Sequence, residues 1–458
     1  MRRIIGILII ILIIICIILG IAIISLNNQN ENNINISESQ NKIENTTIIE
    51  NSHKDFFEDY DIRLVQSKSD YKTVQNIVDK YFLYCSYLNY KRHEGIDAIK
   101  AVLGKEYIQE YIYNDENIYS SFISYSNDNI IIDKVYEKDV TVKIIAYIVH
   151  GYLKNNQTDI SMLILVDREN NTFSILPKEY IEKYNYNENN VENIRKILVK
   201  DIEKNNYNTY EYSAITEEEY AKKLLYDYIN KAVFNTNLAY NYLNTDYKIN
   251  KFNTLEKYKE YIQNNKDILM LYDAKNIKAE DEFENNEQWS LYFNTVKLLE
   301  LNKYLITEYD GYTEYAIIDT YGNYYIFQET SPMQYTVILD TYTVFLPAFL
   351  EKYNSGDEET KVEMNIGRFF EAIQAGDYEF AYSKLDETFR ANYFLDLAQF
   401  ENYAKNNFIY DEMSYEEFFD IEGIYTSVIE LENEENTTQK TFTVNLLEGT
   451  DFTISFEV

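Results

Sequence analysis

Apolar residues along this chain fall into three kinds of run. The first is continuous: residues 4–26 read IIGILIIILIIICIILGIAIISL, without a charge. As a helix, such a run spans roughly 34 Å, enough to cross a hydrocarbon core of about 30 Å. The second recurs at helical spacing. Val74, Ile77, Val78, Tyr81, Phe82 and Cys85 share one face, as do Ile366, Phe369, Phe370 and Ile373, and then Tyr378, Ala381, Tyr382 and Leu385. The third alternates with polar residues. Phe442, Val444 and Leu446, then Phe452, Ile454, Phe456 and Val458 beyond Glu448-Gly449-Thr450, predict a hairpin with one buried face. Residues 164–176 and 316–327 carry the same pattern, and VTVKIIAYIV at 140–149 predicts a further strand.

Stop and start residues punctuate these runs. Gly376 and Asp377 end one helix and cap the next, and Thr216 with Glu219 spells a capping box. Pro177 and Pro347 each follow an apolar strand and predict the first turn of a short helix. The segments 238–265 and 380–407 align without a gap, with 9 of 28 positions identical. Shared residues include Ala239/Ala381, Tyr240/Tyr382, Leu243/Leu385, Phe252/Phe394 and Tyr261/Tyr403, and Thr254 and Asp396 both precede a helix as caps. Asp386, Glu387 and Arg390 stand opposite Asn244, Thr245 and Lys248. The acids change while the apolar frame stays, which is the mark of packing rather than of a copied active site.

The expected organisation is therefore a stub at 1–3, a transmembrane anchor at 4–26 and a disordered polar stalk at 27–69. Three α+β domains follow at 70–176, 216–345 and 364–458, with helical connectors at 177–215 and 346–363. TVILDTYTV at 336–344 supplies a last strand to the second domain or pairs elsewhere. Each domain places helices first and an antiparallel sheet second. That layout, and the segment FFEAIQAGDYEFAYSKLDETFRANYFLDLAQFENYAKNNF at 369–408 in particular, resembles the membrane-anchored bacterial members of the nuclear-transport-factor-2-like (cystatin-like) superfamily. The resemblance implies a cone-shaped α+β fold in three tandem copies. It does not choose among enzymes, small-ligand binders and the non-enzymatic assembly domains of envelope transport and secretion machines.

Composition narrows this picture. The net charge is −34, and residues 364–458 carry 20 acidic against 5 basic side chains, a net of −15. Phosphate backbones are repelled, so nucleic acid is excluded as a partner. Arg2 and Arg3 precede the apolar run, which puts the N-terminus in the cytoplasm and the bulk of the chain outside. Of the two cysteines, Cys16 lies in that run and Cys85 on a helical core face, so they do not pair. No sequence motif names a cofactor or a metal site, and the acidic stretch at 411–422 lacks the spacing of a calcium loop.

Of His53, His93 and His150, only His150 has a placement suited to chemistry. It shares strand parity with Val140, Val142, Ile144, Ala146 and Ile148, which would aim it into the concave face of the first domain. The expectation is a non-enzymatic envelope protein that binds other envelope proteins. The alternative is an extracytoplasmic small-molecule binder, or, less favoured, an enzyme, using an apolar pocket in one α+β domain, with His150 the candidate polar group of that pocket. Nothing in the sequence sets an oligomeric state.

Overall fold

The computed structural model describes residues 54–58, 61–177, 180, 183–212, 214–270, 301–344, 346–433 and 436–458. The expected anchor at 4–26, most of the stalk, Cys16 and His53 lie outside them. Among the described residues no helix is long and apolar enough to cross a membrane.

Two short strands, β1 (Lys54–Asp55) and β2 (Arg63–Leu64), precede the first domain. Its helices are α1 (Lys68–Tyr90), α2 (Arg92–Val102), α3 (Lys105–Tyr111) and α4 (Asp115–Phe122). Its strands are β3 (Ile130–Asp139), β4 (Ile144–Leu153), β5 (Asp159–Asp167) and β6 (Thr172–Pro177). The strand expected over 140–149 thus starts at Ile144. The Thr141 hydroxyl accepts the N–H groups of Lys143 and Ile144, which turns residues 140–143 into a hairpin loop and leaves Val142 in solvent. Pro177 closes β6, and the short helix expected after it falls largely outside the described residues.

After β7 (Asn185–Tyr186) and α5 (Val191–Lys200), the second domain repeats the order. It has α6 (Glu217–Phe234), α7 (Thr236–Tyr242), α8 (Thr245–Tyr247) running into a π turn, and α9 (Leu255–Met270). Strands β8 (Leu301–Tyr309), β9 (Tyr312–Asp319), β10 (Tyr324–Ser331) and β11 (Gln334–Ile338) follow. Helix α10 (Pro347–Ser355) opens on Pro347 as expected. The third domain has α11 (Glu358–Gln374), α12 (Tyr378–Ser383), α13 (Glu387–Tyr393), α14 (Leu397–Asn407), and β12 (Glu412–Ile421), β13 (Ile424–Glu432), β14 (Thr437–Leu446) and β15 (Phe452–Phe456). The three sheets are antiparallel with strands in chain order, the first extended by β2 alongside β3. Residues 336–338 pair with β10, so TVILDTYTV does contribute the last strand of the second sheet.

One device recurs in all three domains. Leu103, Leu243 and Leu385 are buried and form single parallel bridges to the last strand of their own sheets, at Ile175, Val337 and Ile454. The next residue's N–H donates to the same strand: Gly104 to Ile175, Asn244 to Val337 and Asp386 to Ile454. Asn244 and Asp386 then cap the helix that follows. The Asn244 side chain accepts from the Asp246 and Tyr247 N–H groups, and Asp386 from those of Thr388 and Phe389. Gly104 has no side chain to do this. Asp201, far along the chain, reaches in and accepts from the Glu106 and Tyr107 N–H groups instead, at 2.8 and 3.4 Å. A Cβ on Gly104 would lie 2.8 Å from the Asp201 carboxylate and 2.3 Å from Leu176, so a side chain there would push the capping carboxylate aside.

Residues 177–215, expected as a connector, therefore serve the first domain as a second layer. The helix-facing side of its sheet buries Ile145, Tyr147, Val149, Ile164 and Val166. Its other side, with Ile144, Ala146, Ile148, Leu163 and Leu165, is covered by Phe56, Tyr180, Tyr184, Ile194 and Leu198. A sheet buried on both faces shows near-continuous apolar runs, as β4 and β5 do. The helix-side core continues without interruption into the second domain, from Val74 and Val78 to Leu224, Tyr228 and Phe327. The third domain keeps a separate core around Phe369, Phe400, Phe442 and Phe456.

Candidate functional site

The side chains of the repeated segment are engaged in packing, as its changing acids and constant apolar frame predict. Tyr240 meets Tyr258 with centroids 5.6 Å apart, and Tyr382 meets Phe400 at 5.8 Å. Phe252–Tyr261 and Phe394–Tyr403 both stand at 5.3 Å. Even the basic pair is structural: Lys248 covers the Tyr240 ring at 5.1 Å and Arg390 the Tyr382 ring at 5.2 Å. Thr254 and Asp396 accept N–H bonds at the starts of α9 and α14, as their positions predict.

His150 keeps the parity expected of it, but that parity leads to the other face. It lies on the side of β4 that carries Ala146 and Ile148, away from α1 and α2. Its Nδ1 stands 2.7 Å from the Ser161 hydroxyl on β5, and its ring meets Tyr136 edge-on at 5.8 Å. The concave face expected for it is lined instead by the odd-numbered residues of β4. His93 is exposed in the first turn of α2. No group of three or more His, Cys, Asp or Glu among the described residues is arranged to hold a metal ion.

The polar chemistry concentrates elsewhere, in the seam between the first two domains. At one end Lys68, in the first turn of α1, pairs with Glu217 at 3.1 Å, donates to the Tyr315 hydroxyl and lies 4.7 Å over the Tyr220 ring. Behind it the buried Glu329 accepts the Tyr220 hydroxyl and the Met333 N–H, the latter at 2.7 Å. Met333 holds a φ of +61° to close the β10–β11 turn onto that carboxyl. In the middle, Asp79 on α1 and Lys223 on α6 face each other's field. Burial pushes the Asp79 carboxyl up and the Lys223 amine down.

The far end is built on a bulge. Strand β3 breaks register between Ile132 and Lys134, and its loosened carbonyls are taken by the second domain. Lys231 donates to the Ile132 carbonyl at 3.1 Å, while the Tyr242 hydroxyl and Gln334 amide donate to that of Asp133. Lys231 is 1% exposed, lies 4.7 Å from the Tyr242 ring centroid and pairs with Asp227, which also accepts the Tyr335 hydroxyl at 2.7 Å. None of these groups stands out in the sequence, because the partners that meet across the seam sit 99 to 247 residues apart within helical and strand patterns. The one local signal is Lys231 and Asp227 themselves, four residues apart inside an otherwise apolar face of α6.

Burial raises the Glu329 carboxyl to about 7, from 4.5 in an open chain. The folded protein therefore holds a proton there that the unfolded chain releases near 4.5. This contribution is complete below pH 4.5 and is lost as pH rises to about 7, amounting to up to about 3 kcal/mol. Glu329→Gln is expected to raise stability at pH 8 and to change it little at pH 4.5, as urea unfolding at the two pH values will measure. Asp201, raised to about 6 by burial, adds to the same slope.

Comparison with known proteins finds no matching family model, no matching curated protein and no matching solved structure.

Proposed function

We propose that this chain is a non-enzymatic scaffold of the bacterial cell envelope, held to the membrane by residues 4–26 and presenting tandem nuclear-transport-factor-2-like domains to other envelope proteins. The observation that carries this reading is the use made of the interior polar groups. Lys68, Lys231, Tyr242 and Gln334 reach from one of the first two domains to the other, with Asp227 holding Lys231 and Glu329 holding Tyr220 in place, so their chemistry is spent on holding a surface in one shape. The third domain is tied on more lightly. Lys251 bridges Asp340 at 3.2 Å and Asp377, and it donates to the Tyr342 hydroxyl at 2.8 Å, while the two cores stay separate. A fused pair carrying a third, independently packed domain suits contact with several proteins.

The test is co-purification of the full-length protein from its own membranes in mild detergent, with mass spectrometry of retained proteins and small molecules. Stoichiometric envelope proteins support the scaffold. A solitary protein carrying a metabolite overturns it in favour of small-molecule binding. His150→Ala is expected to cost about 1 kcal/mol of stability through the lost Ser161 hydrogen bond and to leave the co-purified set unchanged. Loss of partners with the fold intact would assign His150 a role in recognition.

A further inference from the structure

The first strand of a sheet has an open edge unless something covers it. In the first domain that edge is covered from within the chain. Strand β2 pairs antiparallel with β3, Arg63 opposite Glu137 and Leu64 opposite Tyr136, and the Val65 N–H continues the pairing to Val135. The pairing carries a charge match: Arg63 donates to Glu137 at 2.9 Å and stands 3.6 Å from Asp139.

Strand β12 holds the equivalent place in the third domain. It is ten residues long, it is the terminal strand of its sheet, and no described residue pairs with its outer side. It carries Glu412, Glu416, Glu417 and Asp420. Counted from the two-residue Glu422-Gly423 turn, the N–H groups of Phe418 and Asp420 point away from β13. Beside them Phe419, Ile421 and Ile424 are 45%, 68% and 55% exposed.

From these features we infer that the β12 edge binds an extended, Lys/Arg-bearing segment of another polypeptide by strand addition. The guest's main chain completes the ladder, and its Lys/Arg side chains, all on one face by alternation, reach Glu417 with their charged ends and lie over Phe419 and Ile421 with their apolar stems. The Arg63 pairing on β3 is the same arrangement made within one chain. A second copy of this protein is a poor occupant, because antiparallel self-pairing sets the β12 carboxylates against one another. The inference rests on the scaffold reading and gives its partner a chemistry.

The probe is a synthetic ten-residue peptide of alternating Lys and Val, added to the full chain at low salt. Hydrogen exchange is followed by mass spectrometry across 412–421. The expected result is saturable binding that slows exchange over Phe418–Asp420. Glu416→Lys/Glu417→Lys should weaken binding about tenfold or more. The same peptide N-methylated at every residue keeps its charge but has no N–H to donate to the ladder on either edge, and it should bind equally weakly. Equal binding of the N-methylated peptide, or protection elsewhere than β12, overturns the inference. So does undiminished binding to the charge-reversed chain, whose unchanged exchange elsewhere verifies its fold. The scaffold reading is judged apart from this: if wild-type protein retains envelope partners while the peptide result is negative, only the edge site falls.

Discussion

Phe369→Ala is expected to unfold the third domain and leave the first two folded. Phe369 is fully buried on α11, with ring centroids of Phe370, Phe400, Phe408, Phe442 and Phe456 5.7 to 6.4 Å away. Truncating a core phenylalanine costs about 3–5 kcal/mol, a large part of what one domain of this size has. The loss stays local because the third core is a separate cluster, entered from the second domain by one buried side chain, Tyr342. Calorimetry should show one transition moving down by many degrees and one unmoved. Hydrogen exchange should show lost protection over 358–458 only. A single transition that shifts as a whole would mean that the Lys251–Asp340–Asp377 tie couples the domains more tightly than their separate packing implies.

Lys231→Ala is expected to destabilise the first two domains together by about 3–5 kcal/mol. The substitution leaves the largely buried Asp227 without its cation and the Ile132 carbonyl without its donor, and removing one member of a buried pair costs in this range. Both domains respond because Lys231 joins the α6 helix of one to the β3 bulge of the other, across a core they share. Urea unfolding at pH 7 measures the loss. The double variant Asp227→Asn/Lys231→Met, which removes both charges and keeps most of the volume, should recover more than half of it. If it recovers nothing, the contribution of Lys231 lies in its packing against Tyr242 and not in its charge.

Much of the fold is legible in the chain because its signals are local. Periodicity identifies α1, α11 and the β14–β15 hairpin, and Thr216, Asp377 and Asp396 mark helix starts that the structure places where expected. The match between 238–265 and 380–407 survives because caps and ring contacts tolerate few substitutes. The first copy escaped that comparison for a physical reason. Its cap comes from Asp201, so Gly104 stands where the other copies have Asn244 and Asp386, and the helix it starts is not marked in sequence.

His150 marks the limit of parity as a guide. Alternation groups it with Ala146 and Ile148, but only the position of α1 decides which group faces the helices. In a sheet buried on both sides, both groups are apolar and the pattern is silent. The segment 177–215 read as a connector for a related reason: the Ile194 and Leu198 stripe on α5 records that something is covered, not what.

By itself, then, the sequence determines the helices-then-strands order of the repeats, the capped helix starts at Thr216, Asp377 and Asp396, and that the third copy repeats the second. These follow from spacing, capping and hydrophobicity, which act over a few residues. The tertiary structure alone decides that two domains fuse and the third does not, that Lys231 meets a bulge 99 residues away, and that β3 is covered while β12 presents an open edge. Such outcomes depend on which surfaces come together. Many pairings would satisfy the same local pattern, and only the mutual burial of particular side chains selects one.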